Sequence, residues 1–119
     1  MPRNISFALT TDQIRNRTKT VTRRKGWEFL KVCELLNACV KCMGLKPGET
    51  IERLGTIRVR DVRREPLYRM ELDRSYGLEE AAMEGFPEMD GAGFVRMFCE
   101  HMGGEFHQEV TRIEFEYVD

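Results

Sequence analysis

The sequence predicts a small α+β domain, built as a mixed β-barrel or a strongly curled sheet with short helices over one end. Its 119 residues, 41% hydrophobic and 33% charged, fit one compact core, so we expect a single domain over residues 1–119. Strand-type alternation fills the first half of the chain and returns at its end, and two helical patterns lie between. Closing such strands into a barrel would hide their edges.

Period-two alternation and β-branched residues locate the predicted strands, and turn residues separate them. In the long central β segment, Ile57, Val59 and Val62 all point inward only if the strand bulges near Asp61, because the alternation slips by one residue there. The early elements are a strand at residues 4–10 with Ile5, Phe7 and Leu9 inward, a helix at 13–16, a strand at 19–24, a turn at 31–34 with a strand after it, a loop at 44–49 and β-structure at 51–66.

Two helices are predicted late in the chain. Aspartate is a good helix N-cap because its carboxylate accepts a hydrogen bond from the first turn, and glycine ends helices because it adopts left-handed conformations freely. The late elements are a helix at residues 76–84 ending at Gly85, a helix after Asp90 ending at Gly103-Gly104, and a closing strand at residues 110–117.

Charge is distributed unevenly along the chain. Residues 1–60 carry 13 Lys/Arg and 5 Asp/Glu, a balance of +8, whereas residues 61–119 carry 6 and 15, a balance of −9. Either the first half forms a basic face for phosphates, or the two halves neutralise each other in the fold. No apolar run is long enough for a membrane span, and no signal-peptide pattern is present, so we expect a cytoplasmic protein without a membrane partner.

Four cysteines leave two interpretations open. Cys39, Cys42, Cys99 and His101 supply four potential zinc ligands if the two pairs meet in space, but free cysteines are more often small buried hydrophobes. The other histidine, His107, follows His101 across a double glycine, at a spacing that fits no standard metal pattern. We therefore expect no metal and no cofactor.

Residues 15–24 have the highest density of basic and hydroxyl groups in the chain. Along a strand, Thr22 and Arg24 share one face and Arg23 the other, with Lys19 free to swing round if it lies at the strand's mouth. Such groups at the end of a strand suit phosphate oxygens, although a basic edge strand also protects against aggregation.

The pattern Lys19-x-x-Thr22-x-Arg24, directly after a short helix, resembles the signature of the ASCH superfamily. The loop at residues 46–49, Glu84-Gly85 near a helix end, and the helix at residues 94–98 extend the resemblance over residues 4–118. It is strongest to short stand-alone members from bacteria and their phages. Where the family usually has a glycine before the third strand, this chain has Cys33.

The resemblance implies a PUA-like barrel and two alternative activities. Some small relatives are amidohydrolases that deacylate N4-acetylcytidine with a lysine, a threonine and a glutamate, which map onto Lys19, Thr22 and Glu84. Other relatives bind RNA or DNA. The expected ligand is therefore a modified nucleoside or RNA, and a third alternative is a phage or host-defence interaction protein. The expected ligand-binding residues are Arg24, Arg23, Trp27, Arg58 and Arg60.

Overall fold

Five strands and four short helices form the computed structural model, which describes residues 2–42 and 44–118. The predicted α+β class is confirmed. Three helices lie late in the chain where two were predicted. Strands β1–β5 span Arg3–Ser6, Val21–Arg24, Leu35–Cys39, Arg53–Pro66 and Glu109–Tyr117, and helices α1–α4 span Thr11–Arg15, Arg69–Leu72, Arg74–Met83 and Gly91–Met102.

The five strands form one curled sheet with the order β1-β3-β4-β5-β2. Strand β1 pairs with β3 in parallel, and every other pair is antiparallel. The sheet curls into a half-barrel, so the structure adopts the open form of the predicted barrel. Strands β1 and β2, which are neighbours in sequence, therefore lie at the two opposite edges of the sheet.

The bulge predicted in the long central strand is present in β4. Val59 pairs with Phe115, but Asp61 pairs with the next residue of β5, so Arg60 is the extra residue. The inserted residue restores the alternation on its far side. As a result Val62, beyond the bulge, packs partly buried against the same cluster as the buried Ile57 and Val59.

Aspartate caps and glycines define the two longer helices; the Asp90 cap and both terminal glycines agree with the prediction, whereas the Asp73 cap was not predicted. Asp73 accepts a hydrogen bond from Tyr76 N at the start of α3, and Asp90 accepts one from Gly93 N at the start of α4. The turn after α3 needs a positive φ, which Gly85 supplies at +102°. Helix α3 begins two residues earlier than predicted because the capping residue is Asp73.

Close backbone contact joins the three late helices. A Cβ at position 91 would lie 1.8 Å from the carbonyl oxygen of Met70, and one at position 77 would lie 2.2 Å from the same oxygen. Only glycine fits at these two positions. The helices therefore pack as one layer at a separation that no larger side chain permits.

The buried apolar residues form two clusters. The first fills the half-barrel and includes Ile5, Phe7 and Phe115, whereas the second lies under the late helices and includes Phe94 and Phe98. None of the helices described by the structure is long and apolar enough to cross a bilayer.

The first predicted strand is too long. Strand β1 ends at Ser6, and a 3-10 turn follows at Ala8–Thr10, closed by a hydrogen bond from Thr10 N to Phe7 O. Because the chain turns here, Leu9 is not inward as predicted but 47% exposed.

The predicted turn before the third strand is confirmed, with Glu34 N donating to Lys31 O. Cys33 adopts a left-handed conformation with φ +76° in this turn, and its N–H donates to Val59 O at 2.7 Å. A glycine would adopt this conformation without strain, which accounts for the glycine that the resemblance leads one to expect there.

Candidate functional site

A cavity of about 290 Å³ lies where the two apolar clusters meet, since Phe7 of the first and Phe94 and Phe98 of the second line it. Its volume is close to the lower limit of small-ligand pockets. Its apolar wall comes from the 3-10 turn and from helix α4. The polar residues that line it are Ser6, Thr10, Lys19, Thr22, Arg23, Arg24 and Glu84.

Lys19 and Glu84 form a buried pair at the polar end of the cavity. Lys19 Nζ lies 2.8 Å from Glu84 Oε1 and 2.6 Å from the Glu84 carbonyl oxygen, and the two residues are 3% and 2% exposed. Burial lowers the pKa of Lys19 below its ordinary value of 10.5; Glu84 opposes the shift, and Arg24 and Arg23 add to it. The ammonium is therefore easier to deprotonate than that of a free lysine.

Backbone contacts hold the Lys19 and Glu84 segments together across 65 residues of sequence. Thr20 N donates to Met83 O at 2.8 Å, and the Gln13 side chain donates to Gly85 O at 3.2 Å. Tyr117 OH donates to the carbonyl oxygen of Lys19 at 2.5 Å. The pair is thus fixed by the main chain on both sides, and Lys19 lies just before β2, at the mouth of the strand.

Thr22 and Arg24 form the other part of the polar end. Arg24 donates from Nε to Thr22 Oγ1 at 2.9 Å and from Nη2 to Ser6 O at 2.6 Å, and its guanidinium lies over the Phe7 ring. Burial lowers the pKa of Arg24 to about 10, against the opposing effect of Glu84, so Arg24 stays protonated at neutral pH. The Thr22 hydroxyl accepts from Arg24, which leaves its own hydrogen to donate.

Arg23 lies in a buried network of carboxylates. It donates to Glu84 Oε2 at 3.0 Å, to Glu65 Oε2 at 2.9 Å and to Glu80 Oε1 at 2.6 Å. Arg112 donates twice to Glu80, at 2.6 and 3.0 Å. Burial alone would lower the pKa of Arg23, but the charges of Glu84 and Glu80 outweigh it and raise that pKa. Arg23 orients Glu84 from the side opposite Lys19.

The sequence analysis missed three members of this network, Glu65, Glu80 and Arg112, because charged residues are normally assigned to the surface. A signal was present for Glu80. Gly77, Glu80, Ala81 and Glu84 follow the i, i+3, i+4, i+7 spacing of one helix face, and the three that lie within helix α3 are buried. Two small residues that alternate with two carboxylates on one face indicate a buried side of the helix.

Three of the expected ligand-binding residues do not line the cavity. Trp27 packs partly buried against the half-barrel core and stacks on Phe29 at 5.5 Å, which corresponds to the barrel-plug alternative. On β4, Arg58 is half-buried and Arg60 is exposed, and both contact Glu116, at 3.3 and 3.4 Å. These pairs, like Lys19 with Glu84, join the basic first half of the chain to the acidic second half.

Metal-ligating groups do not converge in the part of the chain that the structure describes: no cluster of three or more His, Cys, Asp or Glu side chains there has the arrangement to hold an ion. Cys39 is buried, and burial raises the pKa of its thiol to about 11. Cys99 lies on α4 and packs beside the helix core. His107 is exposed and lies 3.2 Å from Glu105.

Comparison with known proteins supports the fold. No protein-family model matches the chain, and no curated protein sequence matches it. The crystal structure of a protein from Enterococcus faecalis V583, assigned to family DUF984, is similar, with a TM-score of 0.66 and 16% sequence identity over 100% of this chain and 81% of that chain. At this identity the similarity shows a shared architecture, that of a small domain with a curled, barrel-like sheet.

Proposed function

We propose that this protein is an amidohydrolase that removes the acyl group from an N4-acylated cytidine, with N4-acetylcytidine as the reference substrate. The observation that carries the proposal is the buried Lys19, whose pKa is lowered and which lies in one small cavity with the Thr22 hydroxyl and Glu84. Amide hydrolysis needs a nucleophile, a proton acceptor and a stabilising group for the oxyanion. Thr22, Lys19 and the cationic Arg24 all line the cavity and are the respective candidates.

In the proposed mechanism Thr22 is the nucleophile and Lys19 the base. Neutral Lys19 Nζ takes the hydroxyl proton as Thr22 Oγ attacks the acyl carbon, and the carbonyl π electrons move to the oxygen. When the tetrahedral intermediate collapses, the C–N bond breaks and Lys19 returns the proton to the exocyclic nitrogen. Water then repeats the sequence on the acyl-threonine ester and releases a carboxylic acid, which loses its proton at neutral pH. Glu84 holds Lys19 through the 2.8 Å contact and orients its lone pair.

The apolar wall suits the base of such a substrate. Phe94 and Phe98 of α4 and Phe7 at the end of β1 present aromatic surface to the cavity. A planar pyrimidine packs favourably on aromatic rings, and its burial excludes water from the reacting groups. The polar and apolar ends of the cavity thus match the two ends of an acylated base.

The test is turnover of N4-acetylcytidine to cytidine by the purified protein and by the near-isosteric variants Lys19→Met and Thr22→Val. We expect each substitution to lower kcat by about 10²–10⁴-fold, the usual contribution of a general base or nucleophile. Lys31→Met and Thr50→Val change exposed residues of the same types and serve as matched controls. Absence of turnover by the unsubstituted protein would remove the proposal.

The pH dependence adds a second check. Lys19 must be neutral to accept a proton, so kcat should rise with pH through the pKa of Lys19. Because burial lowers that pKa, the midpoint of the rising limb should lie below 10.5. A kcat that does not rise with pH below 10.5 would contradict the role of Lys19 as the base.

A second candidate is a module that binds RNA without chemistry. It is favoured by an aromatic pair, the half-buried Trp27 and the exposed Phe29, with the Arg3 guanidinium 4.3 Å above the Phe29 ring. Aromatic and guanidinium planes of this kind stack on unpaired bases. This function predicts RNA binding that weakens steeply with salt and with Phe29→Ala, in a protein that shows no turnover.

A further inference from the structure

Cys39 and Cys42 form a pair of thiols that the proposed reaction does not use. Cys39 is the last residue of β3, and the thiol of Cys42 lies close enough to hydrogen-bond with that of Cys39. Cys39 is fully buried, whereas Cys42 is half-buried and can be reached from solvent. Two thiols in contact can be joined by a disulfide with little movement of the main chain, and the accessible one gives an external reagent a point of attack.

A guanidinium lies near each thiol of the pair. Burial raises the pKa of the Cys39 thiol, and the positive charge of Arg53 opposes that shift. Burial lowers the pKa of Arg24, and the negative charges of Glu84 and Cys42 oppose it. A thiolate at Cys42 is therefore attracted by the Arg24 guanidinium. Since the thiolate is the form that reacts in thiol–disulfide exchange, these charges support a reactive pair.

We propose that Cys39 and Cys42 are a redox site, at which exchange with a low-molecular-weight disulfide of the glutathione class forms an intramolecular disulfide. The accessible Cys42 thiolate attacks one sulfur of the reagent, whose S–S bond breaks, and the other sulfur leaves as a thiolate with the bonding electron pair. Cys39 then gives up its proton and attacks the Cys42 sulfur of the mixed disulfide, which releases the second thiolate. Overall the protein loses two hydrogens and the reagent is reduced to two thiols.

Burial sets the order of these two steps. Cys39 is shielded from an external reagent, and its raised pKa keeps it protonated, so it is a poor first nucleophile. Its position beside Cys42 makes it the resolving thiol of the mixed disulfide instead. In a reducing compartment such a pair stays reduced, and disulfides found there are mostly transient and redox-sensing.

The position of the pair connects its redox state to the cavity. Cys39 pairs with Ser6 in the β1–β3 register, and its carbonyl oxygen accepts a hydrogen bond from Phe7 N at 2.8 Å. Ser6 Oγ donates to the carbonyl oxygen of Val40, between the two cysteines, at 3.1 Å. Ser6 and Phe7 both line the cavity. Covalent closure of residues 39–42 therefore acts on the backbone that carries one wall of the cavity.

The first experiment counts free thiols in the full-length protein carrying Cys33→Ser and Cys99→Ala, in which Cys39 and Cys42 are the remaining cysteines. After incubation with oxidised glutathione we expect both thiols to be lost, the mass to fall by two hydrogens and dithiothreitol to restore both thiols. In the same background Cys39→Ser should stop at a mixed disulfide with one glutathione, because Cys42 then has no resolving partner. Cys42→Ser should keep its single thiol, because the buried Cys39 is shielded.

Retention of both thiols, under conditions in which the exposed Cys33 of the unsubstituted protein takes up glutathione, would overturn the proposal. A stable glutathione adduct in place of the intramolecular disulfide would overturn it as well, because the two thiols would then not exchange with each other. Both outcomes are measured on protein that retains Cys39 and Cys42, so neither depends on whether a variant of the pair folds.

The second experiment compares the amide NMR signals of the reduced and the oxidised protein and does not require turnover. We expect the signals of Ser6 and Phe7 to shift when the disulfide forms. The amide of Gly93, which donates to its own helix cap at Asp90, serves as the control and should not shift. Unchanged Ser6 and Phe7 signals in a protein that has formed the disulfide would overturn the connection between the redox site and the cavity.

Discussion

Substituting Glu80 with glutamine should destabilise the protein strongly, although it changes a single atom. Glu80 accepts three hydrogen bonds from Arg23 Nη2, Arg112 Nε and Arg112 Nη2, and is 2% exposed. In the variant the amide NH₂ faces an N–H of an arginine, and two buried guanidinium groups lose their shared counter-charge. Removing one partner of a buried ion pair costs about 3–5 kcal/mol.

That loss is large for a domain of this size, because the total free energy of unfolding of such domains is roughly 5–15 kcal/mol. At roughly 4 °C per kcal/mol the melting temperature should fall by about 12–20 °C. The matched control is Glu116→Gln, which removes a half-exposed carboxylate that also contacts two arginines, Arg58 and Arg60. Since exposed pairs contribute about 0–1 kcal/mol, this control should change little.

The loss of unfolding free energy in Glu80→Gln should also depend on pH, which gives an independent check. Burial alone would raise the pKa of Glu80, but hydrogen bonds from Arg112 and the charge of Arg23 outweigh it and lower that pKa below its ordinary value of 4.5. The stabilisation is therefore fully present above pH 4.5 and is lost as the pH falls through the pKa in the folded state. Urea unfolding of both variants at neutral and acidic pH measures this. The reasoning would be refuted if Glu80→Gln and Glu116→Gln lost similar amounts of unfolding free energy. It would also be refuted if the difference between Glu80→Gln and the unsubstituted protein did not narrow in acid.

Three further changes should affect stability in different directions. Cys33→Gly should stabilise the protein by roughly 0.5–1 kcal/mol in urea unfolding, because relief of about 1–2 kcal/mol of left-handed strain exceeds the entropy cost of glycine; a lower stability would contradict this. Gly91→Ala should destabilise the protein by about 3 kcal/mol or more, because the added Cβ would lie 1.8 Å from a backbone oxygen. The control Gly93→Ala, whose Cβ would meet only a side-chain atom at 3.2 Å, should lower the free energy of unfolding far less in the same assay. Tyr117→Phe should cost about 1 kcal/mol in thermal unfolding and also lower turnover, since it releases the Lys19 carbonyl; unchanged turnover would separate this contact from the site.

The parts of the fold that depend on periodicity could be predicted from the sequence. The slip in alternation around Asp61 located the bulge of β4 correctly, and Asp90 marked the start of α4. Helix α2 could not be found this way, because Arg69–Leu72 is a single turn and too short to show a helical period. Tertiary packing creates it: Met70 is buried in the second apolar cluster, and its carbonyl lies against Gly91.

The candidate site was less predictable for a physical reason. A contact between Lys19 and Glu84 depends on how β2 meets the end of α3, and local pattern carries no information on such a distance. The two residues were named together because of the resemblance, and the structure shows a 2.8 Å contact between them. The outcome for Arg23 is the reverse. It was expected to bind a ligand, but its guanidinium forms ion pairs with three carboxylates.

The two edge strands of the half-barrel are joined at the cavity by one side chain. Arg24 of β2 donates across the open side of the sheet to the carbonyl oxygen of Ser6 at the end of β1. Fraying at the end of β1 would break this contact at the wall of the cavity, and the next amide, Phe7 N–H bonded to Cys39 O, lies at that junction. Amide hydrogens exchange with solvent through such local openings. The exchange rate of the Phe7 amide thus offers a label-free monitor of whether the cavity is occupied.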